Sequence, residues 1–313
     1  MASDASPPQL PPGLSPQAFD DWHDQPEAWR PAMEHLVRAQ GWTGEWHPAS
    51  EGTVLVALLG QAQVLKLFPP FLADHARFEQ GLLKRLQGRL SLPTPTLLAQ
   101  GEHDGWPWTR MTQLSGTLLL HRWPHLSEAQ RVALLRRLGA VARELQALPV
   151  GEQARLSPPW PDFIARQRAG CRARQQRTGL PAHLLAQLPA FLDGPLPDET
   201  AAPVLLTGEF TPMNLLVDAD DRLCGLFDFG DGLVGAPAYD ALGPLCFLCS
   251  GHRARVQAWF DGLEHPMPTD AAPWLRLMLL HRYSHLPLQL ASLPGWQAEP
   301  TLECVAQRLL GRS

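Results

Sequence analysis

Hydrophobic residues near the start of the chain recur first at a helical spacing and then at a strand spacing. Between residues 18 and 40 the apolar positions are three or four residues apart, which predicts a mainly helical segment with one buried stripe: Trp29, Met33, Leu36 and Val37. The pattern then changes to two apolar runs, 53–59 and 62–68, separated by Gly60 and Gln61. These runs predict a strand, a tight turn and a second strand.

The second half of the chain is mainly helical in pattern. Its best-marked helix, 127–148, opens with Ser127 and Gln130 at the spacing of a capping box. A short strand and a pair of strands interrupt the helices, at 204–206, 215–217 and 223–227. The other predicted helices are 73–90, 163–177, 181–192, 253–262 and 272–290.

Composition limits the possible functions. A length of 313 residues fits two domains at roughly 150 residues each, with one larger domain as the alternative. The net charge of -5, from 26 basic and 31 acidic residues, gives no basic surface for nucleic acid. No apolar run reaches the ~18 residues of a membrane span.

The start of the chain and its cysteines point to a cytoplasmic protein. The first residues lack the basic and apolar regions of a secretion signal, and five cysteines are an odd number for a disulfide framework. Residues 1–16 are rich in Pro, Ser and Gln and are predicted to form a disordered tail. Cys246 and Cys249 form a lone C-x-x-C in an apolar segment, which favours a place in the core over metal or redox chemistry.

Two loops that follow predicted strands hold the residue types that phosphoryl transfer needs. Glu209 and Asn214 follow strand 204–206, and Asp228 follows strand 223–227. Phosphoryl transfer requires a carboxylate that orients the attacking hydroxyl and oxygen ligands for Mg²⁺. Glu209 is therefore the predicted catalytic carboxylate, with Asn214 and Asp228 as metal ligands. The alternative is that Asn214 is only a turn residue and Asp228 only a cap.

One of the few lysines falls in the middle of a predicted strand. The chain contains only Lys66 and Lys84 beside many arginines. Because an ammonium is a compact charge that fits a tight phosphate site, Lys66 is the predicted contact for the α and β phosphates. Glu79, 13 positions later in helix 73–90, is the predicted partner that orients it. The alternatives are a solvent-facing lysine at a strand edge and a solvated glutamate.

A predicted strand that runs into a linker, 106–116, offers backbone groups for a nucleotide base. Met111 and Gln113 at its end could pair with the edge of an adenine, although an ordinary linker has the same appearance.

Several polar residues farther along have more than one interpretation. Asp231, Asp261 and Glu264 could attract a cationic sugar or could be ordinary surface acids. His281 and His285 are four residues apart on a predicted helix, the spacing of two metal ligands. Since the H-E-x-x-H carboxylate is missing, packing or hydrogen bonding is the favoured role for both.

The ordered set of candidate residues resembles the aminoglycoside phosphotransferase and choline kinase-like family. The resemblance covers roughly residues 40–290 and is most specific over 204–243. That segment contains the catalytic loop, the metal aspartate and the stretch Gly235-Ala-Pro-Ala-Tyr-Asp240.

The resemblance implies an α+β, protein-kinase-like bilobal fold with ATP and Mg²⁺ as cofactors. A small N-terminal lobe with an antiparallel sheet would span 17–112, and a larger, mainly helical C-terminal lobe would span 113–313. The γ-phosphate would pass to a hydroxyl of a small molecule, with an aminoglycoside or related amino sugar as one candidate. Asp240 would be a structural acid that supports the helical lobe.

Two readings of the function follow, because the loop departs from the family pattern. The family loop begins His-Gly-Asp, whereas this chain has Thr207-Gly208-Glu209, which removes an imidazole and lengthens the carboxylate side chain by one methylene. The first reading is an active small-molecule kinase. The second is a catalytically impaired, nucleotide-binding pseudokinase that acts as a regulatory module. Either protein is expected to be a monomer or weak homodimer that binds neither nucleic acid nor membranes.

Overall fold

The computed structural model describes residues 10–49 and 52–311, and the chain divides into two compact units. The first unit extends to Gln87 and resumes over Thr94–Leu114. The second comprises Gly88–Pro93 and the chain from Ser115 onward. The change of unit after Leu114 lies two residues beyond the predicted boundary at 112.

The first unit contains an antiparallel sheet in the strand order β1-β2-β3-β5-β4. Its strands are β1 (Trp46–Pro48), β2 (Leu55–Leu59), β3 (Gln63–Leu67), β4 (Leu97–His103) and β5 (Trp106–Thr112). Its helices are α1 (Pro16–His23), α2 (Pro26–Ala39) and α3 (Ala73–Leu86). The predicted hairpin is present as β2 and β3, which turn at Gly60 with a positive φ of 59°.

Side-chain alternation along β3 separates the core from the candidate chemistry. Leu65 and Leu67 are fully buried and belong to the same hydrophobic cluster as Met33 and Leu36 of α2. Because successive strand residues point to opposite faces, Lys66 projects to the other side of the sheet, where α3 lies. The alternation of side chains that buries Leu65 and Leu67 therefore also directs the Lys66 side chain towards α3.

Part of the predicted N-terminal tail is ordered. Leu10 is only 1% exposed, and its backbone N–H donates to Asp104 at 3.2 Å. The Trp106 indole N–H donates to the carbonyl of Pro11 at 3.2 Å. The prediction of disorder was wrong for residues 10–16 because the apolar side chain of Leu10 adds to the core despite the polar composition around it. The remaining tail residues, 1–9, lie outside the described residues.

The second unit is mainly helical, with two small antiparallel sheets in the orders β10-β7 and β6-β8-β9. Its strands are β6 (Thr117–Leu118), β7 (Val204–Leu206), β8 (Leu215–Val217), β9 (Leu223–Leu226) and β10 (Leu233–Gly235). Its helices are α4 (Leu119–Arg122), α5 (Glu128–Gln146), α6 (Gln153–Leu156), α7 (Trp160–Arg177), α8 (Ala182–Leu185), α9 (Leu188–Leu192), α10 (Arg253–Leu263), α11 (Ala272–Leu279), α12 (Leu286–Gln289) and α13 (Leu302–Leu309).

Several sequence predictions are confirmed in this unit and two helices are corrected. Helix α5 begins with the predicted capping box of Ser127 and Gln130, and the thiols of Cys246 and Cys249 are buried. The predicted helix 181–192 is wrong as one element, because α8 ends at Leu185 and α9 begins at Leu188, and Pro189 disfavours a continuous helix. The predicted helix 272–290 is wrong, because α11 ends at Leu279 and α12 begins at Leu286. Pro287 supplies no N–H, and its ring would clash with the carbonyl four residues earlier, so one continuous helix is disfavoured.

No helix within residues 10–49 and 52–311 has both the length and the apolar character that a bilayer crossing requires.

Glycines allow α5 and α10 to approach closely. A Cβ on Gly262 would collide with the backbone carbonyl of Arg136, and one on Gly139 with the carbonyl of Trp259. We expect Gly262→Ala to lower the free energy of unfolding by about 1–3 kcal/mol, the cost of overpacking. The matched control is Gly170→Ala in α7, where the nearest atom to an added Cβ is 3.6 Å away.

Thermal denaturation of both variants checks this prediction. Alanine favours a helix over glycine by up to about 1 kcal/mol, so Gly170→Ala should be neutral or stabilising. Equal melting temperatures for the two variants would contradict the close helix contact.

Candidate active site

Within the first unit, β3 and α3 bring Lys66 and Glu79 together. Nζ of Lys66 lies 2.7 Å from Oε1 of Glu79, and both side chains are buried, with 7% and 0% of the residue exposed. The neighbouring Gln80 fixes α3 on the sheet by donating to Oγ1 of Thr109 at 2.9 Å. Lysine and glutamate are rarely buried to this extent unless they are paired. The ion pair therefore holds the ammonium in one place, as its predicted role requires.

The N–H groups at the end of β5 already have hydrogen-bond partners within the first unit. Met111 is buried and pairs with Val64 of β3. The backbone N–H of Gln113 donates to the carbonyl of Ala62 at 2.8 Å, and that of Thr112 donates to Thr96 at 3.0 Å. A base contact at Gln113 would therefore need a group other than its N–H. The roles of Met111 and Gln113 stay predictions.

In the second unit, strand pairing brings together the two loops that hold the predicted catalytic and metal residues. Leu206, the last residue of β7, pairs with Leu233 at the start of β10. The backbone N–H of Phe227 donates to the carbonyl of Asn214 at 3.1 Å, which sets Asp228 beside the start of β8. Short strands with fixed register thus bring Glu209, Asn214 and Asp228 close together.

Glu209 lies in an acidic cluster. Burial, followed by the negative charges of Asp231 and Asp228, raises the pKa of its carboxyl to about 7. The guanidinium of Arg282 and a side-chain hydrogen bond from Asn214 act in the opposite direction. The Asn214 amide also donates to the backbone carbonyl of Glu209 at 3.3 Å. The structure therefore brings Glu209, Asn214 and Asp228 into one site.

The donor types in this cluster suit Mg²⁺. Within the described ranges, no group of three His, Cys, Asp or Glu side chains is arranged as a metal site. Magnesium is commonly held by one or two carboxylates together with substrate phosphates and waters, rather than by a cage of protein ligands. Asn214 and Asp228 supply an amide and a carboxylate in a region where repulsion between acids would be relieved by a cation. These residues fit the ion that the sequence predicts.

A buried carboxylate supports the loop that contains Glu209. Asp240 accepts hydrogen bonds from the backbone N–H groups of Thr207 at 2.8 Å and Gly208 at 3.0 Å, and from the Thr207 hydroxyl at 3.2 Å. Burial raises the pKa of Asp240 to about 7, and these three donors oppose the shift. Asp240 therefore fixes the loop backbone, in agreement with a structural role.

Two backbone positions in the site have positive φ angles. Gly208 has a φ of 82°, and a Cβ there would collide with the backbone carbonyl of Asp231. Asp228 has a φ of 64°, a conformation that is uncommon for a residue with a side chain. Strained backbone of this kind is concentrated at functional sites.

Sequence reasoning missed the residues that surround Asp231. The Arg282 guanidinium donates to Oδ1 of Asp231 at 2.8 Å, and the Tyr283 hydroxyl donates to the same oxygen at 2.7 Å. His281 contacts the carbonyl of Gly208 through Nε2 at 3.3 Å. The missed signal was Pro287, which suits the first turn of a new helix, α12, and disfavours one continuous helix through residues 281–283. The predicted hydrogen bonding of His281 is confirmed.

The acids that could have attracted a cationic sugar all have arginine partners. Besides Asp231 with Arg282, Asp261 lies 3.4 Å from Arg136 and Glu264 pairs with Arg143. Their charges are thus partly neutralised within the second unit.

The chain belongs to the phosphotransferase enzyme family (APH), whose sequence model matches residues 46–280. Comparison with curated proteins gave no significant match. Among solved structures, the GDP complex of wild-type aminoglycoside 2'-phosphotransferase-IIIa is 21% identical, with a TM-score of 0.65 over 89% of this chain and 97% of the other. The ADP and streptomycin complex of APH(3'')-Id from Streptomyces rimosus is 18% identical, with a TM-score of 0.59 over 80% and 97% of the two chains.

These comparisons confirm the predicted family and fold class. The fold is α+β and protein-kinase-like, with an antiparallel sheet in the N-terminal unit and a mainly helical C-terminal unit. At identities below 25%, the solved structures show the fold and not the substrate.

We expect Gly208→Ala to destabilise the protein more than Gly179→Ala. Both glycines have positive φ angles, 82° and 84°, so both substitutions share the backbone strain of that conformation. Only Gly208 also faces a backbone atom, because an added Cβ at Gly179 has no neighbour within 4 Å. The difference between the melting temperatures of the two variants measures the effect of the contact with Asp231. Equal decreases in melting temperature would contradict this contact.

The acidic cluster predicts a pH-dependent effect of Glu209→Gln on stability. The pKa of Glu209 is raised from 4.5 to about 7 in the folded protein. The contribution of this carboxyl to folding stability is therefore fully present below pH 4.5, and it is lost as the pH rises through 7 because the folded state disfavours the ionised form. Without divalent metal, Glu209→Gln should therefore raise the melting temperature relative to wild type more at pH 8 than at pH 5. The exposed Glu102 provides the control substitution, Glu102→Gln. If the difference in melting temperature between Glu209→Gln and wild type is the same at pH 5 and pH 8, the acidic cluster does not raise the pKa of Glu209.

Proposed function

We propose that the protein is an ATP- and Mg²⁺-dependent phosphotransferase that transfers the γ-phosphate to a hydroxyl of a small molecule. The observation that carries this proposal is the convergence of Glu209, Asn214 and Asp228 in one acidic cluster of the second unit. Family membership supports the phosphotransferase class. Complexes of solved relatives with ATP, ADP and GDP support the use of a nucleotide.

Each residue has a defined role in this reaction. Mg-ATP, when bound, supplies the phosphoryl group, and its metal offsets the phosphate charge. Lys66, which Glu79 holds in place, would contact the phosphates, and the oxygens of Asn214 and Asp228 would hold the metal. Glu209 orients the acceptor hydroxyl and accepts its proton on a carboxylate oxygen.

An aminoglycoside or related amino sugar is the first acceptor class to test. Structures of relatives with kanamycin, gentamicin and streptomycin support this choice. The arginine partners of Asp231, Asp261 and Glu264 reduce the negative charge available to a polycation. The acceptor panel therefore includes neutral sugars and alcohols beside amino sugars.

A nucleotide-binding pseudokinase is the second candidate function. It is favoured by Thr207 and Glu209, which replace the histidine and aspartate of the family loop. Such a protein would bind nucleotide through Lys66 and Asp228 and would consume no ATP when acceptors are added. Measurement of ATP affinity with and without Mg²⁺, followed by ATP consumption across the acceptor panel, separates the two functions.

We also propose that the protein works in a reducing compartment such as the cytoplasm. Its five cysteines are free thiols, and three of them, Cys171, Cys246 and Cys249, are buried.

Variants of the acidic cluster test the proposed reaction. We expect Asp228→Ala to abolish metal-dependent turnover, whereas the control Asp218→Asn, in the β8–β9 turn, retains it. Glu209→Gln should lower kcat by about 10²–10⁴-fold, the usual contribution of a positioned acid or base. Glu209→Asp keeps the carboxylate and should retain or raise activity if reach alone limits the reaction.

Mass-spectrometric detection of the phosphorylated acceptor provides the measurement. Turnover by Glu209→Gln at the wild-type rate would refute the assignment of the base. Tight ATP binding by the wild-type protein without phosphorylation of any acceptor would favour the pseudokinase.

A further inference from the structure

The peptide group between Gly208 and Glu209 is hydrogen-bonded at both ends. On one side, Nε2 of His281 lies 3.3 Å from the carbonyl of Gly208. On the other, the N–H of Glu209 donates to the hydroxyl oxygen of Thr207 at 3.1 Å. This peptide is the backbone unit from which the Glu209 side chain extends. Its orientation therefore sets the direction in which the Glu209 side chain leaves the backbone.

The hydrogen bonds of His281 define which ring nitrogen holds the proton. The backbone N–H of Tyr283 can only donate, and it lies 3.2 Å from Nδ1, so Nδ1 is the acceptor. The carbonyl of Gly208 can only accept, so Nε2 must supply the hydrogen. The residue is only 8% exposed, and burial lowers the pKa of its imidazole to about 4. His281 is thus a neutral donor that points at the loop.

Aromatic packing fixes the ring in this orientation. The imidazole stacks on Tyr239, with ring centroids 4.7 Å apart and an angle of 19° between the planes. The Tyr239 hydroxyl in turn accepts a hydrogen bond from the backbone N–H of Arg282 at 3.0 Å. Tyr239 directly precedes Asp240, which holds the N–H groups of Thr207 and Gly208. The loop is therefore held between residues 239–240 and residues 281–283.

We propose that His281 and Thr207 are positioning residues that fix the Gly208–Glu209 peptide and so aim the Glu209 carboxylate at the acceptor hydroxyl. This inference rests on the proposed function, because it concerns the group assigned as the base. His281 lies one residue beyond the segment matched by the family model, 46–280, so that match does not include it. The segment 281–283 contributes twice, since Arg282 and Tyr283 also hold Asp231 beside the loop.

Two pairs of substitutions test the proposal. His281→Phe keeps a ring that can stack on Tyr239 but removes the donor, whereas His281→Gln retains an N–H at a similar distance from the backbone. Thr207→Val removes the hydroxyl with little change of shape, whereas Thr207→Ser keeps it. His285→Phe is the matched control, because no hydrogen bond found among the described residues joins its side chain to residues 207–209.

We expect the variants that lose the hydrogen bond to fail in turnover and not in nucleotide binding. His281→Phe and Thr207→Val should lower kcat by about 10–100-fold, since small errors of position at a reacting group are costly, while the KM for ATP stays within about twofold. His281→Gln and Thr207→Ser should recover most of the loss. Hydrogen–deuterium exchange should show faster exchange over residues 205–212 in the two impaired variants and no change in His285→Phe.

The two measurements separate this proposal from the proposed function. If exchange over residues 205–212 is unchanged in His281→Phe and Thr207→Val, these side chains do not hold the loop, whatever the activity of the variants. Faster exchange with an unchanged kcat overturns the positioning role. If the wild-type protein phosphorylates no acceptor, the proposed function and the role in aiming Glu209 both fail, and the exchange data then decide only whether His281 and Thr207 hold the loop.

Discussion

The candidate site depends on one buried carboxylate that binds backbone instead of substrate. Asp240 accepts the N–H groups of Thr207 and Gly208, which follow directly after the short strand β7. A strand of three residues cannot by itself hold the loop beyond it. The carboxylate supplies the missing hydrogen-bond partners, and the close approach of Gly208 to Asp231 then brings the second loop into contact. The convergence of Glu209 with Asp228 and Asn214 follows from these backbone constraints.

The same arrangement creates a conflict between stability and chemistry. Three acids, Glu209, Asp228 and Asp231, interact within a partly buried region, and the charges of the two aspartates disfavour the ionisation of Glu209. Arg282 offsets only part of this repulsion. A protein selected for stability alone would place fewer like charges together. Their persistence in one place is reasonable for a site that is completed by cations.

The sequence predicted the site residues that directly follow strands. It did not predict the residues that reach the site through contacts between distant parts of the chain. The scarcity of lysine and the spacing of 13 positions to Glu79 pointed to this pair, and the strand ends pointed to Glu209, Asn214 and Asp228. By contrast, the contacts of His281 join residues 73 positions apart, and no local pattern encodes them. The helix pattern over 272–290 concealed them, because its apolar period continues through a segment that Pro287 breaks. Leu10 was missed for a similar reason, since composition cannot reveal one apolar residue that finds a distant pocket.

The buried pair of Lys66 and Glu79 affects how inactive variants of this protein should be read. Replacement of a single member of a buried ion pair commonly costs about 3–5 kcal/mol, because the other charge loses its counter-ion while it stays out of water. A variant that lacks the Lys66 ammonium can therefore be inactive because it is unfolded. Its lack of activity would then give no information about phosphate binding. The informative comparison is a double replacement of both members by apolar residues of similar volume, which removes the electrostatic penalty together with the proposed phosphate contact.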